Sequence, residues 1–225
     1  MDGIYLLDKP IAWTSHDLVD AVRRKTGQRA VGHAGTLDPM ATGLMILLLG
    51  KATKRSVEFS GLDKSYRGSI RLGVRTDSWD LEGRVLEERP VPELAARTLS
   101  EVFGQMTGER LLLPPIFSAI KRGGQRAHAV ARRGEVLEME PRPMNIYQLV
   151  LDAYDAPEVY FSVDCSKGTY VRSLAYDLGE RLGCGGTLSS LVRTRIGDLR
   201  LDQAIGFNEF AGLGAAAELE SRLIP

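Results

Sequence analysis

The stretch Gly32-His33-Ala34-Gly35-Thr36-Leu37-Asp38-Pro39-Met40-Ala41-Thr42-Gly43 sets one carboxylic acid and one imidazole among three glycines and a proline. Glycine allows tight turns and close approach of backbone to a ligand, and Pro39 fixes its own φ while biasing Asp38 towards an extended backbone. A carboxylate held in this way can act as a nucleophile or pass a proton to a substrate. For an isolated Asp-Pro pair, turn capping by Asp38 and a plain loop role for His33 would be the simpler explanation. The density of special residues over twelve positions argues for an active-site loop instead.

The elements that must position this loop are legible on either side of it. The apolar run Leu44-Met45-Ile46-Leu47-Leu48-Leu49, bounded by Gly43 and Gly50, fits a buried strand or a buried helix segment. Upstream, Ser15 reads as the N-cap of a helix over 17–25 that ends at Gly27, with Leu18, Val19 and Val22 on its apolar face. Tyr66, Gly68, Ile70 and Leu72 alternate with Arg67, Ser69 and Arg71, the pattern of a half-buried strand with Tyr66 on the Ile70 side. A helix is expected from Pro92 to Met106, strands from Ile146 to Tyr154 and from Val159 to Cys165, and a helix from Tyr170 to Leu182. Strands and helices mix without strict βαβ alternation, so an α+β architecture is expected rather than a doubly wound parallel sheet.

Composition narrows the function classes. The 225 residues are 44% hydrophobic and 26% charged, as in an ordinary soluble globular protein with one substantial core. No apolar stretch approaches the roughly 20 residues that span a bilayer, and Met1-Asp2-Gly3-Ile4-Tyr5 lacks a basic region followed by an apolar one, so no membrane partner and a cytoplasmic location are expected. Cys165 and Cys184 are the only cysteines, and neither sits in metal-ligand spacing with His16, His33 or His128. No metal site is expected. Lys plus Arg equals Asp plus Glu at 29 each, a weak argument against a polyanionic partner, but Arg110, Lys121, Arg122, Arg126, Arg132 and Arg133 fall in a segment with no acid at all. With Pro114-Pro115, Gly123-Gly124 and Pro141-Arg142-Pro143 inside it or at its edge, the segment of about 113–143 reads as a basic arm able to meet phosphates, or as a solvated loop.

The Gly32–Gly43 run resembles the signature of the TruB-type tRNA pseudouridine synthases, and further blocks resemble the same family in the same order. Asp8-Lys9-Pro10 with Trp13-Thr14-Ser15 is similar to its N-terminal motif, Lys64-Ser65-Tyr66-Arg67-Gly68 to its tyrosine motif, and Cys165-Ser166-Lys167-Gly168-Thr169-Tyr170-Val171-Arg172-Ser173-Leu174 to its arginine motif. Pro114-Pro115-Ile116-Phe117-Ser118-Ala119-Ile120-Lys121 is similar to another characteristic stretch. The resemblance implies the pseudouridine synthase fold, a mixed, mostly antiparallel central sheet flanked by helices and loops. It also implies isomerisation of uridine to pseudouridine at position 55 in the T loop of elongator tRNAs. Asp38 would be the catalytic carboxylate, attacking the sugar or the pyrimidine ring or promoting departure of uracil. Tyr66 would stack on the base and accept a proton, and Arg172 would pair with Asp38 and keep it ionised. His33, Tyr170 and Leu191 would contact the nucleotide together with Tyr66. No cofactor is implied, because the product is an isomer of the substrate.

Contacts to the RNA are expected from Lys9, Thr14, Ser15, Lys64, Lys121, Arg122 and Arg126, each of which is also an ordinary surface residue type. Four features depart from the family pattern. Ala12 stands where glycine is common, His128 where tyrosine is common and Thr187 where histidine is common, and the chain stops at Pro225 where relatives continue into a small RNA-binding domain. The expected organisation is a catalytic domain over 1–210, including the arm, and a short tail over 211–225, acting as a monomer on the tRNA T arm. A tRNA-folding chaperone with secondary or no catalysis is the competing reading.

Overall fold

In the computed structural model, which describes residues 1–118, 121–122, 125–126, 139–214 and 216–224, the apolar run after Gly43 is a strand. In chain order the strands are β1 (Gly3–Lys9), β2 (Val31–His33), β3 (Ala41–Leu49), β4 (Lys64–Leu72), β5 (Val74–Thr76), β6 (Val85–Glu88) and β7 (Gly108–Leu112). They continue as β8 (Lys121–Arg122), β9 (Gln125–Arg126), β10 (Arg142–Asp155), β11 (Glu158–Cys165), β12 (Gly186–Ile196), β13 (Leu199–Arg200) and β14 (Ile205–Gly206). The sheet is mixed and helices flank it, so the α+β class expected from the sequence is the one adopted. Among the described residues no helix is long and apolar enough to cross a membrane.

The chain forms two units, one of Met1–Arg67 with Leu191–Pro225 and the other of Gly68–Ser190. In the first, β3 pairs antiparallel with β1 and β2 and parallel with β12, while β14 adds parallel to β1. Every residue from Leu44 to Leu49 is fully buried, which is why the run carries no polar alternation. Leu44, Ile46 and Leu48 pack with Ile4, Leu6, Phe59 and Ile196. The helix Ser15–Thr26 contacts β2 and β3 and buries Leu18, Val19 and Val22, which stabilises it by about 2 kcal/mol per side chain as an upper figure. Its N-cap is Thr14 and not Ser15: Thr14 accepts from the Asp17 backbone, Asp17 accepts in return, and Gly27 closes the helix at φ 66°. The tail beyond 210 belongs to this unit, with Ile4 bridged to Ile224 and the Tyr5 hydroxyl donating to Leu219 O at 2.6 Å.

In the second unit the strand order is β4-β11-β10-β7, with β10 antiparallel to both neighbours. The helix Ala96–Met106 lies on β10 and buries Leu99, Phe103 and Met106. It begins four residues after Pro92, later than the sequence suggested. The helix Val171–Leu182 starts directly after Tyr170 and ends at Gly183 in the left-handed region. The hairpins β5–β6 and β8–β9 complete the unit.

Candidate active site

In the first unit the loop carrying Asp38 is fixed at three places. Ser15, released from capping, turns its buried hydroxyl to Leu37, accepting from the amide at 2.9 Å and donating to the carbonyl at 3.2 Å. On the other side of Asp38 the Pro39 carbonyl accepts from Ala12 N at 2.9 Å and from Lys9 Nζ at 3.2 Å. Lys9 is fully buried, and its ammonium also reaches Pro10 O at 2.9 Å and Trp13 O at 2.5 Å, tying the 10–13 turn to the loop. Ala12 holds that turn with φ at 65°, which explains why glycine suits the position. Asp38 itself is half-buried, and its carbonyl accepts from Ala41 N at 3.0 Å.

The third clamp comes from β12. Leu191 and Arg193 face Ala41 and Gly43 in the parallel register. The Arg193 guanidinium is fully buried and donates to Leu44 O at 2.8 Å, Gly35 O at 3.2 Å and Thr36 O at 3.5 Å. A side chain on Gly43, at φ 99°, would run into the Arg193 backbone, so this glycine is required by the close approach of β12. Tyr66 on β4 is buried and hydrogen-bonds Arg193, opposing the lowering of the arginine's pKa by burial. His33 on β2 has its pKa lowered by burial first, then by the charges of Arg193 and His16, and is held neutral at neutral pH. Its Nδ1 is buried with no hydrogen-bond partner among the described residues.

In the second unit Arg172 occupies the first turn of its helix and is buried, not surface-lying. It donates to Ser78 O at 3.1 Å and Phe117 O at 2.9 Å, and its guanidinium stands 3.5 Å from the Asp80 carboxylate, itself buried. Asp80 is held by Ser78 Oγ at 2.5 Å and Glu82 N at 3.1 Å, in a turn where Trp79 adopts φ 64° and stacks on Tyr176 at 4.4 Å. Thr187 is also buried and donates to Val74 O at 2.8 Å, so the hydroxyl found in place of histidine serves the backbone of β5.

Residues 23–171 match the TruB family pseudouridylate synthase N-terminal domain, and residues 172–224 the tRNA pseudouridylate synthase B C-terminal domain. The chain belongs to the TruB family. It is 45% identical over its whole length to tRNA pseudouridine synthase B of Opitutus terrae, covering 93% of that protein. It is 42% identical to the Geobacter sulfurreducens protein of the same name, over 100% of this chain and 74% of that one. Among solved structures, a chain of a Cbf5-Nop10-Gar1 complex superposes with a TM-score of 0.77 at 25% identity, over 99% of this chain and 60% of its own. A chain of an H/ACA RNP bound to a substrate RNA containing 2'-deoxyuridine shares the fold, with a TM-score of 0.75 at 22% identity over 99% and 59%. This TruB-family chain thus spans about three fifths of those two chains.

Of the residues singled out from the sequence, His33, Asp38, Tyr66 and Leu191 fall in the first unit of this TruB-family fold, and Tyr170 and Arg172 in the second. Thr14 is exposed, whereas Lys9, Ser15 and Lys64 are buried. Lys64 donates to Ser60 O at 2.7 Å and to Leu62 O, so this ammonium, like that of Lys9, is engaged by the chain's own carbonyls. The side chains of Lys121, Arg122 and Arg126, together with the arm over 127–138 and His128, lie outside the described residues. Arg193 and Asp80 escaped the sequence reading. Arg193 sits in an alternating strand where an arginine reads as solvent-facing, and the only hint was the pair of glycines, Gly35 and Gly43, that its side chain and backbone approach. Asp80 sits in the turn Thr76-Asp77-Ser78-Trp79-Asp80, whose density of short polar residues was its signal. Among the described residues no group of three His, Cys, Asp or Glu could hold a metal ion.

Proposed function

We propose that this chain isomerises uridine to pseudouridine at position 55 in the T loop of elongator tRNAs, with Asp38 as the catalytic carboxylate. The observation that carries the reading is the fixing of the Asp38 loop by Ser15, Lys9 and Arg193 in a chain of the TruB family. A carboxylate whose backbone is tied down on both sides meets a reacting atom with little loss of orientational freedom. The reaction breaks the C1'–N1 bond of uridine and joins C1' to C5, with the C5 proton lost and N1 protonated. Atoms and electrons balance without a co-reactant. Asp38 attacks the sugar or the ring, or assists departure of uracil, and carboxylates serve as nucleophiles at glycosidic centres.

The uridine must leave its stack to reach Asp38, at a cost of a few kcal/mol. Tyr66 offers the ring on which it stacks and a phenol oxygen able to take a proton, and Leu191 and neutral His33 supply further contacts. Tyr170 and Arg172 enter the same reading through the family motif over 165–174, Arg172 as the cation that keeps Asp38 ionised. Thr14, exposed beside the loop, and Lys121, Arg122 and Arg126 are the proposed RNA contacts, while buried Lys9, Ser15 and Lys64 act by holding backbone. The tRNA names of the relatives support the substrate class.

The test is incubation of the purified chain with an unmodified tRNA transcript, followed by mapping of pseudouridine by carbodiimide-dependent stops. A stop at position 55 is expected. Binding and refolding of the transcript without conversion would overturn the reading in favour of the chaperone.

A further inference from the structure

We propose that Arg193 is a positioning residue for this reaction, fixing the turn that leads to Asp38 and poising the Tyr66 phenol as an acid–base group. The inference rests on the function proposed above and deepens it. A fully buried arginine is expensive to maintain, and the penalty is ordinarily met by a carboxylate. Arg193 has none: among the described residues its guanidinium is shared between the carbonyls of Gly35, Thr36 and Leu44, the Met45 sulfur and the Tyr66 phenol. An apolar side chain of similar length would fill the same space at lower cost, so the charge is retained for what it does to its neighbours.

Two consequences follow from the geometry. The carbonyls of Gly35 and Thr36 are the last fixed points before Leu37 and Asp38, so the fork of donors sets where the loop enters the site. Arginine has donors only, so in its hydrogen bond with Tyr66 the phenol oxygen accepts. The Tyr66 proton is then free to point towards a bound base, and the adjacent cation favours the phenolate that forms when this proton is given up. The titratable groups facing Arg193 are Tyr66 on β4 and His33 on β2, and the latter is kept neutral. The cation therefore acts chiefly on the phenol.

The experiment uses the full chain with ring-carbon-labelled tyrosine, the Tyr66 signal being assigned by its loss in Tyr66→Phe. Tyr66 is titrated by NMR in wild type, Arg193→Gln and Arg193→Lys, and single-turnover tritium release from a tRNA transcript labelled at uridine C5 is followed from pH 6 to 10. The expected result is that Tyr66 titrates about one pH unit or more higher in Arg193→Gln than in wild type, with Arg193→Lys restoring most of the difference. Tritium release should fall about tenfold or more in Arg193→Gln, with its pH profile displaced to the alkaline side. An unchanged Tyr66 titration across the three proteins overturns the inference. If Arg193→Gln does not fold, wild type decides: titration at or above the ordinary tyrosine value of about 10 overturns it, and titration below supports it. The NMR arm contains no RNA, so a wild type that makes no pseudouridine refutes the proposed function, whereas an active wild type with unperturbed Tyr66 refutes this inference alone.

Discussion

Neighbouring hydroxyls at Thr14 and Ser15 have different jobs, and separate alanine substitutions should distinguish them. Thr14→Ala removes an N-cap hydrogen bond from an exposed helix start, worth about 1 kcal/mol, or a fall of about 3 °C in Tm for a chain of this size. Ser15→Ala leaves both the amide and the carbonyl of buried Leu37 without their hydroxyl partner. At about 1 kcal/mol or more for each stranded group, the loss is about 2 kcal/mol or more, or at least about 5 °C. Because Leu37 precedes Asp38, the second change should also slow single-turnover conversion about tenfold or more, whereas the first should leave it within about twofold. Thermal unfolding followed by circular dichroism and single-turnover tritium release measure the two effects. A Ser15→Ala protein that melts with wild type and converts uridine at its rate would refute the clamp on Leu37, and a larger Tm loss in Thr14→Ala would restore Ser15 to a minor role.

Two further perturbations probe the same loop. Ala12→Gly relieves a left-handed backbone at φ 65°, and after the entropy lost by glycine a net gain of up to about 1 kcal/mol is expected, read as a Tm rise of about 2 °C. His33 is less easily protonated in the folded chain than at its ordinary value of 6.5, so below that pH the unfolded state gains a proton that the folded state does not. Stability should therefore be full above about pH 6.5 and decline on acidification, and the Tm difference between wild type and His33→Gln should shrink or reverse between pH 6.5 and 5.

The backbone plan was largely legible in residue order. Period-two alternation located β4 with Tyr66 inward, and apolar continuity located β3, although a six-residue apolar run looks the same for a strand and a buried helix until its partners are known. What residue order conceals is where side chains spend their hydrogen bonds. Lys9 and Lys64 have the composition of RNA contacts, yet their ammonium groups are enclosed by backbone carbonyls. Ser15 has the spacing of a cap, yet Thr14 takes that place because Asp17 completes its capping box, and Ser15 is left to hold Leu37. Arg193 lies far along the chain from Gly35 and meets it only through the parallel register of β12 on β3. The chemical residues themselves were visible early, because Asp38 stands in a stretch whose glycines and proline have few other reasons to occur together.

The most direct test is the replacement of one oxygen. Wild type and Asp38→Asn, matched for Tm and tRNA binding, are mixed in excess with a transcript tritiated at uridine C5, and tritium release is followed over one turnover. Wild type is expected to release the label from position 55 and leave pseudouridine there, while Asp38→Asn releases none above background. Conversion by Asp38→Asn at the wild-type rate would contradict the assignment of Asp38 as the catalytic carboxylate.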